Sequence, residues 1–196
     1  MNPQRLLFGI LYRVGVTPWD GHKLSPLLVG AVEKGELPGG AALDIGCGTG
    51  NAAIFLARHG HTVTGVDLVD HALRRAHRKA QAAGTNARFV RGDVTRLGEL
   101  GLGKFQLIVD TATFHGIPDN IRADYAREVA AAAAPGAHYF LSGLPSRKRP
   151  GPRGFDRTEI EQLFGADWEI LEMVQDELEF RMHGGDHLQL LKLRRK

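Results

Sequence analysis

The sequence predicts a doubly wound α/β fold, in which a mostly parallel sheet carries helices on both faces. Short apolar runs alternate along the chain with longer segments whose apolar residues recur three and four positions apart, and this alternation is typical of parallel strands joined by helices. A glycine or a Pro-Gly pair follows the helical segments, where helices commonly end. With 196 residues and one cysteine, the chain is long enough for one well-buried domain and has no internal disulfide.

Five of the apolar runs are candidate strands, and two later runs are expected to close a seven-stranded sheet as an antiparallel hairpin. The five candidates are residues 41–45, 61–66, 87–90, 105–110 and 138–142, and the hairpin comprises 168–180 and 187–193. Helical apolar spacing predicts helices over residues 51–59, 70–83, 120–134 and 158–164.

The remaining segments are expected to complete a single domain. Residues 1–40 would form a helical cap over the sheet edge, 41–142 the ligand-binding core, and 143–196 a helix with the closing hairpin. No run approaches the roughly 20 apolar residues of a membrane helix, and the apolar run near the amino terminus lacks a signal-peptide pattern. The expectation is a soluble cytoplasmic protein without a membrane partner, and the oligomeric state stays open.

The segment Asp44-Ile45-Gly46-Cys47-Gly48-Thr49-Gly50-Asn51 is the most informative, because it joins the first strand to the next helix. Glycines permit positive φ and a close approach to a ligand, and a helix amino terminus favours an anionic group. The G-x-G-x-G spacing differs from the dinucleotide loop G-x-G-x-x-G, and the Lys–Ser/Thr pair of nucleoside-triphosphate loops is missing from it. Asp44 would repel a pyrophosphate, so it favours a ligand that carries positive charge.

An acid followed by G-x-G-x-G resembles the first motif of the class I S-adenosylmethionine-dependent methyltransferases, which have a Rossmann-like fold. The resemblance covers about residues 40–142. It implies S-adenosylmethionine as cofactor, S-adenosylhomocysteine as product and in-line methyl transfer. Acids end or follow four successive strands, at the edge where open α/β sheets bind ligands; they are Asp44, Asp67, Asp93 and Asp110.

The resemblance implies a role for each acid, although singly each could instead cap a helix or a turn. Asp67 would accept hydrogen bonds from the two ribose hydroxyls, and Asp93 from the adenine amino group beside the apolar Val94. Asp110 would lie near the methionine moiety and the acceptor. The other expected cofactor contacts are Gly46, Cys47, Gly48, Gly50, Asn51, Leu68 and Thr111.

His115 is the candidate general base, because it follows the fourth strand and imidazole changes charge near neutral pH. Alternatively it shapes the pocket or bonds a backbone group, and the adjacent Phe114 is either pocket wall or core. Trp19 lies in the turn 17–21 and either covers the cofactor, where it would attract a cation, or packs between cap and sheet. No metal site is expected, since no set of histidines and acids has convincing ligand spacing.

A further resemblance narrows the substrate. The Pro-Trp-Asp turn, the segment 92–97 and Phe114–His115 resemble small bacterial thiopurine-, thiol- or heterocycle-methylating enzymes and tellurite-resistance-type methyltransferases. This implies a small-molecule acceptor that presents a thiol, a hydroxyl or a heterocyclic nitrogen.

Two alternatives to this function stay open. The basic stretch Arg147–Arg157 could bind the phosphates of RNA or another nucleic acid. However, the net charge of +3 is no nucleic-acid signature by itself, and a solvated loop is the commoner reason for such a stretch. The other alternative is a protein that binds S-adenosylmethionine without catalysis.

Overall fold

The computed structural model describes residues 20, 24–146, 152–180 and 186–196, with the side chains of 177–180 and 186 excluded. The predicted position of Trp19, most of the expected cap, the first part of the basic stretch (residues 147–151) and the hairpin tip lie outside the described residues. The division of the chain into cap, core and closing hairpin therefore stays a prediction.

A seven-stranded sheet forms the centre of the described structure. Its strands are β1 (Ala41–Ile45), β2 (Thr62–Asp67), β3 (Arg88–Arg91), β4 (Phe105–Thr111), β5 (Ala133–Gly143), β6 (Trp168–Phe180) and β7 (Asp186–Arg195). They lie in the order β3-β2-β1-β4-β5-β7-β6. Strands β1 to β5 pair in parallel, whereas β7 is antiparallel to both β5 and β6. The predicted doubly wound, Rossmann-like sheet with an antiparallel hairpin is confirmed.

Helices cover both faces of this sheet. They are α1 (Pro26–Glu33), α2 (Asn51–Arg58), α3 (Asp70–Ala82), α4 (Arg122–Ala132) and α5 (Arg157–Phe164), and short 3₁₀ turns span Val94–Leu100, Phe114–Gly116 and Asp119–Ile121. Leu107 of β4 packs with residues of α1, α2 and α3, while the adjacent Ile108 packs with residues of α4 and α5. Successive residues of a strand point to opposite faces, so β4 is buried on both.

The junction of α4 and β5 differs from the expectation. The apolar spacing predicts a helix up to residue 134 and a strand from 138, but α4 ends at Ala132 and β5 begins at Ala133. The reason is pairing: Ala133 already lies opposite Phe105 of β4, before a register shift. Contact with a neighbouring strand ends this helix before the Pro-Gly pair does.

Parallel pairing places the carboxyl ends of the strands at one edge of the sheet. Ile45 at the end of β1 lies opposite Val66 of β2 and Asp110 of β4, and Thr111 of β4 lies opposite Ser142 of β5. The loops that carry the predicted site residues are therefore neighbours. None of the helices in the described part of the chain combines the length and apolar character that crossing a bilayer requires.

Candidate active site

The glycine loop after β1 adopts a backbone that side chains would obstruct. Gly46, Gly48 and Gly50 have φ values of 63°, 51° and 82°, in the left-handed region that glycine tolerates best. A Cβ on Gly46 would also collide with the side chain of Thr113, and one on Gly50 would lie 2.8 Å from the ring of Phe89. The loop is thus packed closely against Thr113 and Phe89, and a side chain at Gly46 or Gly50 would disturb that packing.

Asp67 holds this loop against β2. Its Oδ2 accepts a hydrogen bond from the Gly48 amide at 2.9 Å, and its Oδ1 accepts one from the Val69 amide at 2.8 Å. Burial raises the pKa of this carboxyl, and the backbone hydrogen bonds oppose the rise. Each carboxylate oxygen can accept more than one hydrogen bond, so the geometry leaves capacity for the two ribose hydroxyls.

Asp44 is a buried carboxyl that favours a positively charged ligand. It is 2% exposed, and its Oδ2 accepts a hydrogen bond from the Ala53 amide at 3.0 Å. Burial raises its pKa to about 8, and the nearby charges of Asp110 and Asp67 add to the rise. A cation beside these carboxyl groups would offset their mutual repulsion, and this fits a sulfonium better than a pyrophosphate.

Asp110 orders the loop that leaves β4. Its Oδ1 accepts from the Thr113 amide at 2.7 Å, and its Oδ2 accepts from the Phe114 amide at 3.0 Å and from the Tyr125 hydroxyl. Tyr125 in turn lies 3.1 Å from the Tyr139 hydroxyl. Burial raises the pKa of Asp110 to about 7, although the Tyr125 hydrogen bond opposes this. The carboxyl acts here through the loop it caps, and direct contact with a ligand stays a prediction.

Asp93 and Val94 occupy the loop after β3. The Oδ1 of Asp93 accepts from the backbone amide of Thr95 at 3.0 Å and from its hydroxyl at 2.7 Å, so this acid does cap a short helix. Val94 is buried. Their contact with adenine stays a prediction, as do the contacts of the half-buried Leu68 and Thr111.

The thiol of Cys47 packs the glycine loop against β2. Cys47 is buried, and a Cβ on Gly65 of β2 would lie 2.9 Å from its sulfur. Burial raises the pKa of the thiol well above its usual value, and the charge of Asp44 adds to the effect. Because a thiolate is the reactive form, Cys47 has the environment of an inert packing residue.

A polar cluster that the sequence did not predict surrounds Asn51. Asp20 accepts from the Thr49 hydroxyl and, at 2.9 Å, from the Arg75 guanidinium, while its carbonyl accepts from Asn51 Nδ2 at 2.8 Å. Lys79 donates to Thr49 Oγ1 at 2.8 Å and to Asn51 Oδ1. The Asn51 amide is therefore engaged within the protein. Asp20 lies in the turn already singled out for its tryptophan, but nothing in the sequence indicates its partners.

The geometry of His115 speaks against the predicted general-base role. The ring is buried, and its Nδ1 accepts a hydrogen bond from the Leu144 amide at 3.1 Å. A neutral imidazole whose Nδ1 accepts carries its hydrogen on Nε2, so neither nitrogen can take up a proton while this bond persists. The arrangement favours the alternative that the ring bonds a backbone group.

Phe114 belongs to the core. It is fully buried, and its ring centroid lies 5.4 Å from that of Tyr125, 5.6 Å from Phe155 and 5.5 Å from Phe164. A guanidinium also covers the ring, because Arg122 Cζ lies 4.7 Å from its centroid. The pocket-wall alternative for Phe114 has no support in this packing.

Arg122 is a second residue that sequence reasoning missed, and its spacing did carry a signal. It stands first in the series 122, 125, 126 and 129, which are all buried positions of α4. A charged residue on the buried face of a helix requires partners, and Arg122 pairs with Glu159.

The described arginines of the basic stretch are engaged in ion pairs. Arg153 bonds Asp119 at 2.5 Å, and Arg157 bonds Glu161 at 3.2 Å.

These features define a class of protein: an α/β enzyme that binds a nucleoside with a positively charged substituent at the carboxyl edge of its sheet. Residues 42–136 match the family model described as a methyltransferase domain. Within the described residues, no group of three or more histidine, cysteine or acidic side chains is placed to hold a metal ion.

Named relatives agree with that class. The 2-heptyl-1-hydroxyquinolin-4(1H)-one methyltransferase of Mycobacteroides abscessus is 30% identical over 158 residues, which cover 78% of this chain and 69% of the relative. The "Probable thiol methyltransferase 2" of Arabidopsis thaliana is 30% identical over 173 residues, covering 85% and 75%. The chain belongs to the S-adenosylmethionine-dependent methyltransferases.

A solved structure shows the same fold. The 1,6-didemethyltoxoflavin-N1-methyltransferase of Burkholderia thailandensis, with 1,6-didemethyltoxoflavin and S-adenosylhomocysteine bound, has a TM-score of 0.80 at 23% identity. The match covers 98% of this chain and 87% of that one. The family model and the relatives make the protein an enzyme that uses S-adenosylmethionine, and neither nucleic-acid methylation nor binding without catalysis gains support.

Proposed function

We propose that this enzyme methylates a small molecule whose acceptor atom loses its proton near neutral pH without a protein base. Thiols, hydroxyl groups on electron-poor heteroaromatic rings and acidic ring nitrogens meet this description. The observation that carries the proposal is the hydrogen bond from the Leu144 amide to Nδ1 of His115. It withdraws the imidazole from proton uptake at the place where a base is expected.

The nearby carboxyl groups are no better placed to remove a proton. Asp110 is fully buried and accepts from two amides and from the Tyr125 hydroxyl. Asp44 stands before the glycine loop and accepts from an amide of α2. Both groups are buried and bonded within the protein, which keeps them from an acceptor proton, whereas a cation bound beside them would favour their charged form.

Methyl transfer tolerates the lack of a base. S-adenosylmethionine, when bound, supplies a methyl group that is already activated as a sulfonium. The residues of this chain then have to bind, orient and exclude water. Orientation can lower a barrier by about 7–11 kcal/mol, whereas a positioned base contributes about 10²–10⁴-fold in rate. An acceptor that ionises unaided makes the smaller contribution unnecessary.

The names of the relatives support the same class of acceptor. One is named a methyltransferase for 2-heptyl-1-hydroxyquinolin-4(1H)-one, another is named for thiols, and the structural neighbour has 1,6-didemethyltoxoflavin bound. These names support a small-molecule acceptor.

We propose the following assignments for the cofactor. Asp67 binds the ribose hydroxyls, Asp93 and Val94 the adenine, and the loop 46–51 lies against the remainder, with Asp44 and Asp110 beside the cation, which lowers their raised pKa values when it binds. Leu68, Thr111 and Trp19 complete the contacts. The single buried cysteine is compatible with a cytoplasmic location, which we also propose.

The test compares acceptors of graded acidity. In a series of aromatic thiols and hydroxy-heteroaromatics, kcat/KM is measured against pH for the wild type and for His115→Asn, whose amide oxygen can still accept from Leu144. The apparent pKa of the rate profile should follow the acidity of each acceptor, and the variant should retain activity within about tenfold. A fixed apparent pKa for all acceptors, together with a loss of about 10²–10⁴-fold in His115→Asn, would show a protein base and overturn the proposal.

A further inference from the structure

We propose that Arg122, paired with Glu159, is a positioning residue for the acceptor side of the site, and that it acts by fixing the backbone and ring of His115. The inference rests on the proposed function in one respect, namely that His115 lies beside the acceptor. It concerns a different question, which is how the loops around that histidine are held.

Arg122 is buried among groups that satisfy its charge. The residue is 1% exposed, and its Nη1 donates to Oε1 and Oε2 of Glu159 at 2.9 and 2.8 Å. Its guanidinium lies over the ring of Phe114. Because a buried charge without a partner is costly, Glu159 keeps the guanidinium charged and in place.

The other donors of Arg122 reach three backbone carbonyls in two separate loops. Nε donates to the carbonyl of Ile117 at 2.8 Å, and Nη2 donates to that of His115 at 3.3 Å, both in the loop after β4. Nη1 also donates to the carbonyl of Gly154 at 2.9 Å, in the segment before α5. The planar guanidinium therefore ties the loop after β4 to the segment before α5, a task that a lysine ammonium cannot perform with the same geometry.

His115 is held from both sides as a result. Its carbonyl accepts from Arg122 and, at 3.2 Å, from the Gly154 amide, while its ring accepts from the Leu144 amide. Leu144 is fixed to the same segment, because its carbonyl accepts from the Phe155 amide at 3.1 Å. The orientation of the ring thus depends on contacts that converge from the residue after β5, from the segment before α5 and from Arg122.

The segment before α5 has little room to adjust. Gly154 has a φ of +76°, and a Cβ at that position would collide with the carbonyl of Pro145. Glu159 is fixed as well, because Asp156 caps α5 by accepting from the Glu159 amide at 2.9 Å. Because α5 and the segment before it are fixed in this way, a change at Arg122 should displace the carbonyls of Gly154 and His115 rather than shift α5.

The test uses Arg122→Lys, which keeps the charge, and Arg153→Lys as the matched control. Arg153 also bonds Glu159 and Asp119, but these ion-pair partners are side chains rather than loop carbonyls. For each variant the dissociation constant of S-adenosylhomocysteine is measured by calorimetry, KM and kcat are measured for a reactive aromatic thiol, and the ring nitrogens of His115 are followed by ¹⁵N NMR. His115→Asn identifies the resonance.

Arg122→Lys should lower kcat/KM for the thiol by about three- to tenfold, no more than loss of the histidine ring itself, because a misplaced group costs rate through poorer orientation; the dissociation constant of S-adenosylhomocysteine should change less than about threefold. The Nε2–H tautomer signature of His115 should be lost. Arg153→Lys should change neither. A Lys variant with unchanged thiol kinetics and an unchanged histidine spectrum overturns the proposal, as does an equal loss of cofactor and acceptor binding, which would indicate a merely structural role.

Glu159→Gln keeps the test decisive if Arg122→Lys does not fold. It retains an acceptor for Arg122 and should reduce thiol kcat/KM in the same direction by a smaller factor. Where both variants fold, their combined effect should be less than additive, because the two residues act on the same loops. Additive effects contradict the proposed pair. None of these results depends on whether the rate profile follows the acidity of the acceptor, so the two proposals fail separately.

Discussion

Two regions of this enzyme are ordered by different kinds of hydrogen bond. The cofactor edge comprises the ends of β1, β2 and β3 and the loops that follow them, and the acceptor side comprises the loop after β4 and the segment before α5. At the cofactor edge, carboxylates accept from backbone amides, several of them close by in sequence, as Asp67 does from Val69 and Asp93 from Thr95, although Asp67 also accepts from Gly48, 19 residues away. On the acceptor side, one side chain bonds the carbonyls of distant loops, since Arg122 reaches Gly154. The first region can be built from a short motif, whereas the second depends on the tertiary fold.

The largest effect is expected from Asp67→Ala, which tests whether cofactor binding can be weakened without disturbing the hydrogen bonds around His115. Charge-assisted hydrogen bonds contribute about 1.5–3 kcal/mol each, so loss of two should weaken binding of S-adenosylhomocysteine by tens-fold or more. Calorimetry measures this, with Asp70→Ala as control, since Asp70 is a half-exposed acid at the start of the helix that follows β2. The His115 ring signature should stay as in the wild type. Unchanged cofactor affinity would refute the assigned role of Asp67.

Gly46→Ala should have the next largest effect, because Gly46 is where the two regions touch. Its φ of +63° disfavours a side chain by about 1–2 kcal/mol, and a Cβ would collide with Thr113 from the loop after β4. We expect both a lower denaturation midpoint and weaker cofactor binding.

Gly60→Ala is the matched control for this change. Gly60 has a φ of +88°, but a Cβ at that position would meet nothing within 4 Å, so it carries the backbone penalty without the collision. Thr113→Gly in the Gly46→Ala background should recover part of the loss. If the two alanine variants behave alike, the contact between the regions has no energetic importance.

The same contrast explains what could be predicted from the sequence. The strand 41–45, the glycine loop and the strand-end acids were predictable, because apolar runs, turn glycines and carboxylates report on local structure. The environment of His115 was not, because it depends on backbone groups brought together from the residue that follows β5, from the segment before α5 and from Arg122. Arg122 was recognisable only as a charge on a buried helix face, and its carbonyl partners follow from tertiary packing alone.

The pH dependence of stability should reveal the buried carboxyl groups of both regions. The pKa of Asp44 is raised to about 8 and that of Asp110 to about 7, chiefly by burial. Between the ordinary pKa near 3.8 and these values the folded protein binds more protons than the unfolded chain. The contribution of these two carboxyls to the free energy of unfolding is therefore fully present at low pH. It is lost as pH rises, by up to about 1.4 kcal/mol per pH unit for each carboxyl.

Chemical denaturation across this pH range checks the expectation. Relative to Asp44→Asn, which stays neutral, the ligand-free wild type should lose stability as pH rises through this window; His61 and His138, whose pKa values burial lowers, contribute in the opposite direction but equally in both proteins. Asp70→Asn, an exposed control, should leave the slope as it is. A wild type that gains stability with pH relative to Asp44→Asn would contradict the burial of Asp44 in protonated form.

The smallest effect is expected from Arg75→Gln, which asks whether Asp20 belongs functionally to the cofactor edge. The Arg75–Asp20 pair is partly exposed, at 32% and 14%, and such pairs contribute about 0.2–1 kcal/mol. Binding of S-adenosylhomocysteine should weaken less than about fivefold, with a smaller difference at about 0.5 M salt than at about 0.05 M. Arg74→Gln removes the same charge one residue away, beside His71 rather than Asp20. Equal effects of the two substitutions would mean that net charge alone matters, whereas an effect confined to Arg75 ties the amino-terminal segment to the glycine loop.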